Sequence, residues 1–292
     1  MRTSLSRKAF VTGNYFILTL LALLCFLPLW QVLAISVSSR SAAESGLVSL
    51  WPIGFHLDAY KFALQKPEFI ESIYVAAKRV SLGWFVNIAF AILTAYPLSK
   101  EVTAFRWRTV YVWTFFITIL FGGGLIPTYM VIQKTGLIDS IWALVIPSAV
   151  HVFAVVLLLN FFRGLPKEIE ESAVIDGAGH LSVAVRIYVP LSLPALATLS
   201  LMFIVSHWNS WLDGMIYMNS PANYPLQTYL KIIVLENDLT AMALGSAELM
   251  QQLSDRTFKS AQILIGAMPV LIVYPFLQKY FVKGIVLGSV KE

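Results

Sequence analysis

Long apolar runs are the feature that most constrains how this chain can fold. One of them, FILTLLALLCFLPLW, begins at Phe16 and carries no charged residue. A helix needs about 20 predominantly apolar residues to cross the hydrocarbon core of a bilayer. The sequence offers such runs at residues 14–36, 73–98, 109–132, 141–162, 191–211 and 261–281. The pattern predicts an all-α integral membrane protein with six transmembrane helices.

The composition agrees with this prediction. Hydrophobic residues make up 58% of the chain and charged residues 13%, about half the roughly 25% that is usual in soluble domains. The net charge of +5 is expected from basic residues at the membrane rims rather than from nucleic-acid binding. The single cysteine, Cys25, excludes an internal disulfide and a cysteine-based metal cluster.

The first two spans each allow an alternative. The first follows Arg7 and Lys8 as a secretory signal peptide would, but its apolar stretch exceeds the roughly 7 to 15 residues of a signal core. The second carries Lys78 and Arg79 near its start. Their side chains are expected either to reach the membrane interface or to face protein.

Basic residues are distributed unevenly between the two sides of the predicted bundle. If the N-terminus is inside, the inner segments hold Arg2, Arg7, Lys8, Lys100, Arg106, Arg108, Arg163, Lys167, Arg186, Lys279, Lys283 and Lys291. The longer outer segments hold only Arg40, Lys61, Lys66, Lys134, Lys231, Arg256 and Lys259. Because cytoplasmic segments carry an excess of Lys and Arg, both termini are predicted to be cytoplasmic. Two large outer loops follow, residues 37–72 and 212–260.

The cytoplasmic connection between the fourth and fifth spans, residues 163–190, is too long for a simple turn. Pro166 suits the start of a helix, and Glu168, Glu170 and Glu171 suit its first turns. Gly177 offers a stop. A helix over residues 166–177 would be about 18 Å long and is too charged to span, so it is predicted to lie outside the bilayer.

One stripe of this predicted helix carries mainly small side chains. Ile169, Ser172, Ala173, Asp176 and Gly177 recur at the spacing of one helical face. Two interpretations stay open at this point. The helix either caps the inner end of the bundle or docks into a groove on a cytoplasmic partner.

The same segment resembles the EAA signature of permease subunits in bacterial ATP-binding-cassette (ABC) importers. That signature reads E-A-A, three residues, G, nine residues, I-x-L-P. Here Glu171-Ser172-Ala173 is followed at these distances by Gly177, Ile187 and Pro190. Ser172 replaces the first alanine and Val189 the leucine, and both stay close in size to the residues they replace.

The resemblance extends over nearly the whole chain. HWNSW, at residues 207–211, is similar to a motif at the end of the fifth span in the carbohydrate-importing branch, with Ser210 where many members carry an acid. FFRGLPKEIEESAVIDGAG and QKYFVKGIVLGSVKE resemble the same branch. FGGGLIPTYMVIQKTGLIDSIWALVIP resembles the subgroup that imports larger or complex oligosaccharides, including alginate importers. On this resemblance residues 73–292 form the core permease domain, with the EAA segment at 166–190, and residues 1–72 supply the first span and first outer loop.

The resemblance implies a type I ABC importer fold in the bacterial inner membrane. The expected partners are a second, different permease, two cytoplasmic ATPase subunits, an extracytoplasmic solute-binding protein, an oligosaccharide and membrane lipid. The EAA helix would sit in a cleft of the ATPase and transmit its closure to the spans. The residues implied in this coupling are Glu171, Ser172, Ala173, Ile175, Asp176, Gly177, Ile187 and Pro190. Residues 288–292 are expected at the same interface.

The chain itself is expected to be neither an enzyme nor a cofactor-binding protein. Its sequence has no Gly-rich stretch followed by Lys and Ser or Thr, so a partner is expected to bind ATP and Mg. His56, His151, His180 and His207 lack the close spacing of a metal site. An ion-gradient-driven transporter or channel is the alternative function, but it predicts mid-span charges and an inverted repeat. An intramembrane enzyme would need paired catalytic groups within spans, which are not evident.

A path for sugars needs hydrogen-bonding groups and aromatic faces near the middle of the bilayer. The candidates are Asn87, Tyr129, His151, Asn160, Trp208 and Asn209. For each residue taken alone, helix packing or a membrane-interface position is the alternative. Gly122, Gly123 and Gly124 permit either a bend or a close helix contact in the third span. The segment around Tyr224, Pro225 and Leu226 is the predicted landing place of the binding protein.

Overall fold

The structure, a computed structural model, describes residues 5–233 and 256–289, and every regular element within them is helical. The chain begins with the long helix α1 (Leu5–Ser36), which is apolar enough to cross a membrane. Two short helices, α2 (Arg40–Glu44) and α3 (Asp58–Gln65), precede a second long one, α4 (Pro67–Ser99), which also meets the requirements for a span.

Three of the predicted spans are built from two helical segments each. The segments are α5 (Arg108–Leu120) and α6 (Leu125–Lys134), then Ile141–Ser148 and α8 (Val152–Arg163), and finally His180–Leu191 and α12 (Leu193–Asn209). The stretch Ile141–Ser148 contains α7 (Ile141–Val145) and a 3-10 turn (Ile146–Ser148). These pairs bend by 116°, 49° and 85°, respectively. Between the second and third pairs lies α9 (Lys167–Ile175). The stretch His180–Leu191 contains α10 (His180–Val183), a π-helical turn (Ala184–Tyr188) and α11 (Val189–Leu191).

The last described elements are α13 (Leu212–Tyr217), a helical stretch over residues 226–233, and α14 (Arg256–Ser289). The part Arg256–Pro275 of α14 again meets the requirements for a span. The described residues therefore supply three single-helix spans, and six in all if each bent pair counts as one. This agrees with the predicted number.

The third, fourth and fifth spans are bent, and for the third a bend is one of the two alternatives that the sequence left open. The third breaks after Leu120, and Gly124 adopts a φ of +80°, which favours glycine. A Cβ on Gly122 or Gly124 would meet open space, so the glycines serve the bend rather than a close helix contact. The fourth span breaks ahead of Val152, and the fifth breaks at Ser192, between two prolines that each remove a backbone donor.

The chain forms two compact units. The first comprises the described parts of Met1–Phe69 and Ile233–Ala267. Its buried apolar cluster is Ala34, Ile35, Ala42, Ala43 and Val48. The rings of Phe62 and Phe258 meet edge to face with centroids 5.2 Å apart, and Lys66 Nζ lies over both rings.

The second unit comprises Ile70–Ile232 and the described part of Met268–Glu292. Its main core includes Ala95, Leu158, Phe162, Leu199 and Phe203, which come from α4, α8 and α12. Half-buried side chains from α9 and the segment after it, including Ala173, Ala178 and Ile187, pack against the same core. The core thereby fixes α9 directly on the ends of the membrane helices.

Candidate coupling site

The helix predicted over residues 166–177 is observed as α9, with Pro166 directly before it. Glu168 and Glu170 lie in its first turn, where the helix dipole favours negative charge. At its end Gly177 has a φ of +81°, and the Gly177 and Ala178 amides donate to the Val174 and Ala173 carbonyls. A left-handed glycine that turns back onto the last carbonyls is a common helix stop.

The two faces of α9 differ in what they contact. Glu171, Ser172, Asp176 and Gly177 are exposed, and Ile175 retains 85% of its surface. Ala173 is half-buried against the core of the unit itself. The predicted stripe of small residues is therefore divided, because Ser172, Asp176 and Gly177 are exposed whereas Ala173 packs against the core.

Beneath α9 a hydrogen-bonded cluster, here called the α9 anchor, consists of Lys100, Glu170 and Tyr188. Lys100 Nζ donates to both carboxylate oxygens of Glu170 at 2.6 and 2.7 Å and lies 3.1 Å from the Tyr188 hydroxyl. The Tyr188 hydroxyl also donates to Glu170. The ammonium group lies over the rings of Tyr96 and Tyr188, at 3.9 and 4.3 Å from their centroids, an arrangement in which the aromatic faces attract the cation.

Two opposing effects act on the pKa of Glu170. Burial of the carboxyl raises its pKa. Hydrogen bonds from Lys100 and Tyr188, together with the charge of Lys100, lower the pKa by a larger amount. The net pKa lies below the ordinary value for glutamate. Glu170 is therefore a carboxylate at neutral pH that joins α9 to the end of α4.

A second ion pair joins α9 to the same loop. Lys167 pairs with Glu101, but both side chains are largely exposed, at 70% and 64%. Solvent weakens such a pair, so the α9 anchor, whose charged side chains are 14% and 19% exposed, is the main polar attachment. The sequence interpretation missed Lys100, Glu170 and Tyr188. The available signals were a lysine two residues after a predicted span and a second acid next to the EAA glutamate.

The last two residues of the signature lie beyond α9. Ile187 is half-buried against the core, within the π-helical turn. Pro190 is exposed and lies in α11, directly before the 85° bend into α12. The signature therefore spans the exposed helix and the bend that connects it to the fifth span. The predicted interface residues 290–292 lie outside the described residues, as does the side chain of Ser289.

The proposed sugar-path residues fall into two groups. His151, Asn160 and Asn209 are exposed, and Tyr129 is half-buried with its ring stacked on Tyr217. Asn87 and Trp208 are buried, at 3% and 7% exposure. The exposed residues remain predictions as sugar contacts, whereas Asn87 is already occupied by partners within the protein.

Asn87 and His207 form a second cluster, here called the mid-span clamp. The Asn87 amide donates to the Ser148 and Ala149 carbonyls, which the break between α7 and α8 leaves available. Its carbonyl lies 2.7 Å from His207 Nε2, and since the amide nitrogen is already a donor, the histidine donates here. A Cβ on Gly83 would collide with the His207 ring. The clamp therefore ties together α4, α12 and the broken fourth span.

About two turns before Asn87 in α4, a buried ion pair joins this helix to the segment after HWNSW. Arg79, only 2% exposed, makes two bonds to the Asp213 carboxylate and one of 3.2 Å to the Ser210 carbonyl. The Ser210 hydroxyl donates to Asp213 at 2.8 Å. Of the two expectations for Arg79, the structure shows the one in which the side chain faces protein. Ser210, which stands where the resemblance led us to expect an acid, thus binds the carboxylate of Asp213, three residues further on.

The predicted landing place for a binding protein is partly buried. Pro225 and Leu226 lie inside the second unit, with Leu226 at 0% exposure, and only Tyr224 of the three is partly accessible. The prediction was wrong for these two residues because their side chains are buried within the second unit and are not available to a partner. The remainder of that outer loop, residues 234–255, lies outside the described residues.

Comparison with known proteins agrees with this arrangement. Residues 80–287 match the family described as binding-protein-dependent transport system inner membrane component. The polygalacturonan/rhamnogalacturonan transport system permease protein YtcP of Bacillus subtilis is 38% identical over 95% of this chain and 96% of its own length. Protein LplC of the same organism is 36% identical over 100% and 98%.

A solved structure of similar fold is a bacterial ABC transporter involved in the import of the acidic polysaccharide alginate. The match has a TM-score of 0.86 and 32% identity, and covers 96% of this chain and 99% of that one. The bent third, fourth and fifth spans, the exposed α9 and the matched residues lead to one assignment. This chain belongs to the family of inner membrane components of binding-protein-dependent transport systems and has the type I ABC importer permease fold.

Proposed function

We propose that this chain is the membrane-spanning subunit of an ATP-driven importer of acidic oligosaccharides. The single observation that carries the substrate class is the agreement of two relatives. One is named for polygalacturonan and rhamnogalacturonan, and the other takes part in the import of alginate, an acidic polysaccharide. Both match over nearly the whole chain, so the agreement does not rest on one shared segment.

In this proposal α9 receives the motion of the ATPase. Its exposed side, with Glu171 and Ile175, contacts the nucleotide-binding subunit, while the α9 anchor holds its other side to the permease core. A rigid attachment is needed because a loosely held helix would move without moving the spans. Pro190 and the bend after it then pass the displacement to α12.

The partners follow from the family. A second permease completes the path, an extracytoplasmic binding protein delivers the sugar, and two cytoplasmic subunits bind ATP and Mg. The basic residues of the inner segments support an orientation with both termini in the cytoplasm. An ion-gradient-driven transporter is the weaker alternative, since the family is defined by dependence on a binding protein.

The test is ATP hydrolysis by the complete importer in membranes, with its binding protein and a panel of oligosaccharides. Uronate oligomers should stimulate hydrolysis, and neutral oligomers of equal length should stimulate it much less. Stimulation by neutral sugars alone would contradict the acidic substrate class. Stimulation only by a solute that is not a saccharide would contradict the carbohydrate assignment as a whole.

A further inference from the structure

A cavity of about 930 Å³ opens beside α9, in the second unit, where α4 and α8 end and α5 begins. Its charged lining residues are Lys100, Arg108, Arg163, Lys167, Glu101, Glu170 and Glu171. Two of the four cations are neutralised within the cavity, Lys100 by Glu170 and Lys167 by Glu101. The other two cations, Arg108 and Arg163, are not neutralised by either of these two ion pairs.

Both arginines bind one backbone oxygen. Arg108 Nε donates to the Leu98 carbonyl at 3.0 Å, and Arg163 Nη2 lies 3.4 Å from the same oxygen. Among residues 5–233 and 256–289 neither forms an ion pair. Each guanidinium carries five N–H donors, so most of their donors are not used by this carbonyl.

Capping the end of α4 explains one hydrogen bond from each arginine. It does not explain why both donors are cations, because two like charges at such separation repel each other. An anion held between the two guanidinium groups would remove the repulsion. Arginine forks suit the oxygens of a phosphate group in particular.

The surface next to the cavity is apolar. α5 begins at Arg108, and every one of its residues is partly or fully exposed. Trp107, Tyr111 and Trp113 are 64%, 51% and 59% exposed. Aromatic side chains beside cations are typical of the level where headgroups meet acyl chains. A soluble phosphate would use the arginines alone, whereas a phospholipid would also cover this apolar surface.

We propose that the cavity binds the phosphate of an anionic phospholipid. Arg108 and Arg163 hold the phosphate oxygens, and the acyl chains lie along the exposed side of α5. Since Val174 and Ile175 of α9 also line the cavity, the bound lipid contacts the helix that carries Glu171. The site adds a lipid ligand to the transport function and depends neither on the identity of the sugar nor on its path.

The test uses the complete importer in detergent and native mass spectrometry. Phosphatidylglycerol, phosphatidylcholine or inorganic phosphate is added, and the bound fraction is measured. The unaltered protein should retain phosphatidylglycerol, and Arg108→Gln with Arg163→Gln should weaken its binding at least about tenfold, as expected from losing charge-assisted hydrogen bonds. Arg106→Gln is the matched control, because Arg106 is an exposed arginine of the same loop outside the cavity lining.

If the double variant does not assemble, Arg163→Gln alone is measured, since this side chain is exposed, and it should weaken binding at least about threefold. Equal retention of phosphatidylglycerol by the Gln variants and by Arg106→Gln would overturn the proposal. Equal retention of phosphatidylcholine would overturn the role assigned to charge. Binding of inorganic phosphate to the arginines without retention of phosphatidylglycerol would show a site for a free anion and overturn the lipid assignment.

Discussion

The α9 anchor and the mid-span clamp both hold helices together, but with different chemical groups. Each ties separate helices together through buried polar groups, but the anchor uses the charges of Lys100 and Glu170, whereas the clamp uses the amide of Asn87 and the ring of His207. The anchor lies outside the spans, where water lowers the cost of a charge. Within a span a charge is expensive and neutral hydrogen bonds suffice. Location in the membrane thus decides which kind of cluster holds the helices.

The Arg79–Asp213 pair differs from the clamp because it places two charges within the predicted second span and its neighbouring segment, and its disruption should have the largest effect on stability. Asp213→Asn leaves Arg79 buried without its counter-charge, and we expect a loss of about 3 kcal/mol, the lower end for such pairs because Asp213 is 24% exposed. The measurement is thermal unfolding of the purified importer. Lys78→Gln, which removes an exposed neighbouring charge, should change stability little.

The clamp can be broken through its closest contact. Gly83→Ala forces a methyl group into the His207 ring, and overpacking of this kind costs about 1 to 3 kcal/mol. Gly13→Ala is the control, because Gly13 also lies within a helix but has open space around it. The measurement is the melting temperature of each variant, and Gly83→Ala should have the lower one. Equal melting temperatures would mean that the ring moves aside freely and the clamp does not fix these helices.

The anchor can be separated from the docking surface by comparing neighbouring glutamates. Glu170→Gln removes a charge that Lys100 and Tyr188 need, so we expect about 1 to 2 kcal/mol of lost stability. Glu171→Gln should leave stability unchanged and weaken association with the ATPase, because Glu171 is exposed. Thermal unfolding measures the stability of each variant, and co-purification measures its association with the ATPase. If both variants lost stability equally, the assignment of inner and outer faces would be wrong.

The smallest expected effect is that of Glu170→Gln on the pH dependence of thermal stability. The folded-state pKa of Glu170 is lowered, so its stabilising contribution is complete above the unfolded-state pKa and declines as the pH falls through the folded value. Thermal unfolding from pH 7 down to about pH 3 should therefore show a steeper acid loss for the unaltered protein than for Glu170→Gln.

Much of the architecture was predictable because apolar runs and charge report on the bilayer directly. Six spans, the helix after the fourth span and its stop at Gly177 all follow from local patterns. The breaks near Ser148 and Ser192 were not predictable, because hydropathy remains high across them. At the first break the Ser148 and Ala149 carbonyls accept hydrogen bonds from the distant Asn87 side chain, and a short sequence window does not contain both partners.

The coupling site around α9 was also predictable only in part. The EAA spacing located Glu171 and Gly177, and the structure places both on the exposed side of the segment. The spacing could not indicate that Ala173 packs inward, since that depends on where α4 and α8 end. Glu170 and Lys100 are 70 residues apart, and only the fold brings them into contact. Residues that act through the surface were thus easier to identify than residues that hold the surface in place.

The central claim is that the exposed side of α9 contacts the ATPase, and cysteine cross-linking tests it most directly. Cys25→Ser first removes the only native cysteine. Ile175→Cys, at a site 85% exposed on α9, should then cross-link to a cysteine in the ATPase cleft, and ATP should change the yield. Val185→Cys, 52% exposed outside α9, is the control and should cross-link weakly. Cross-linking at residue 185 but not at residue 175 in the assembled importer would contradict the account.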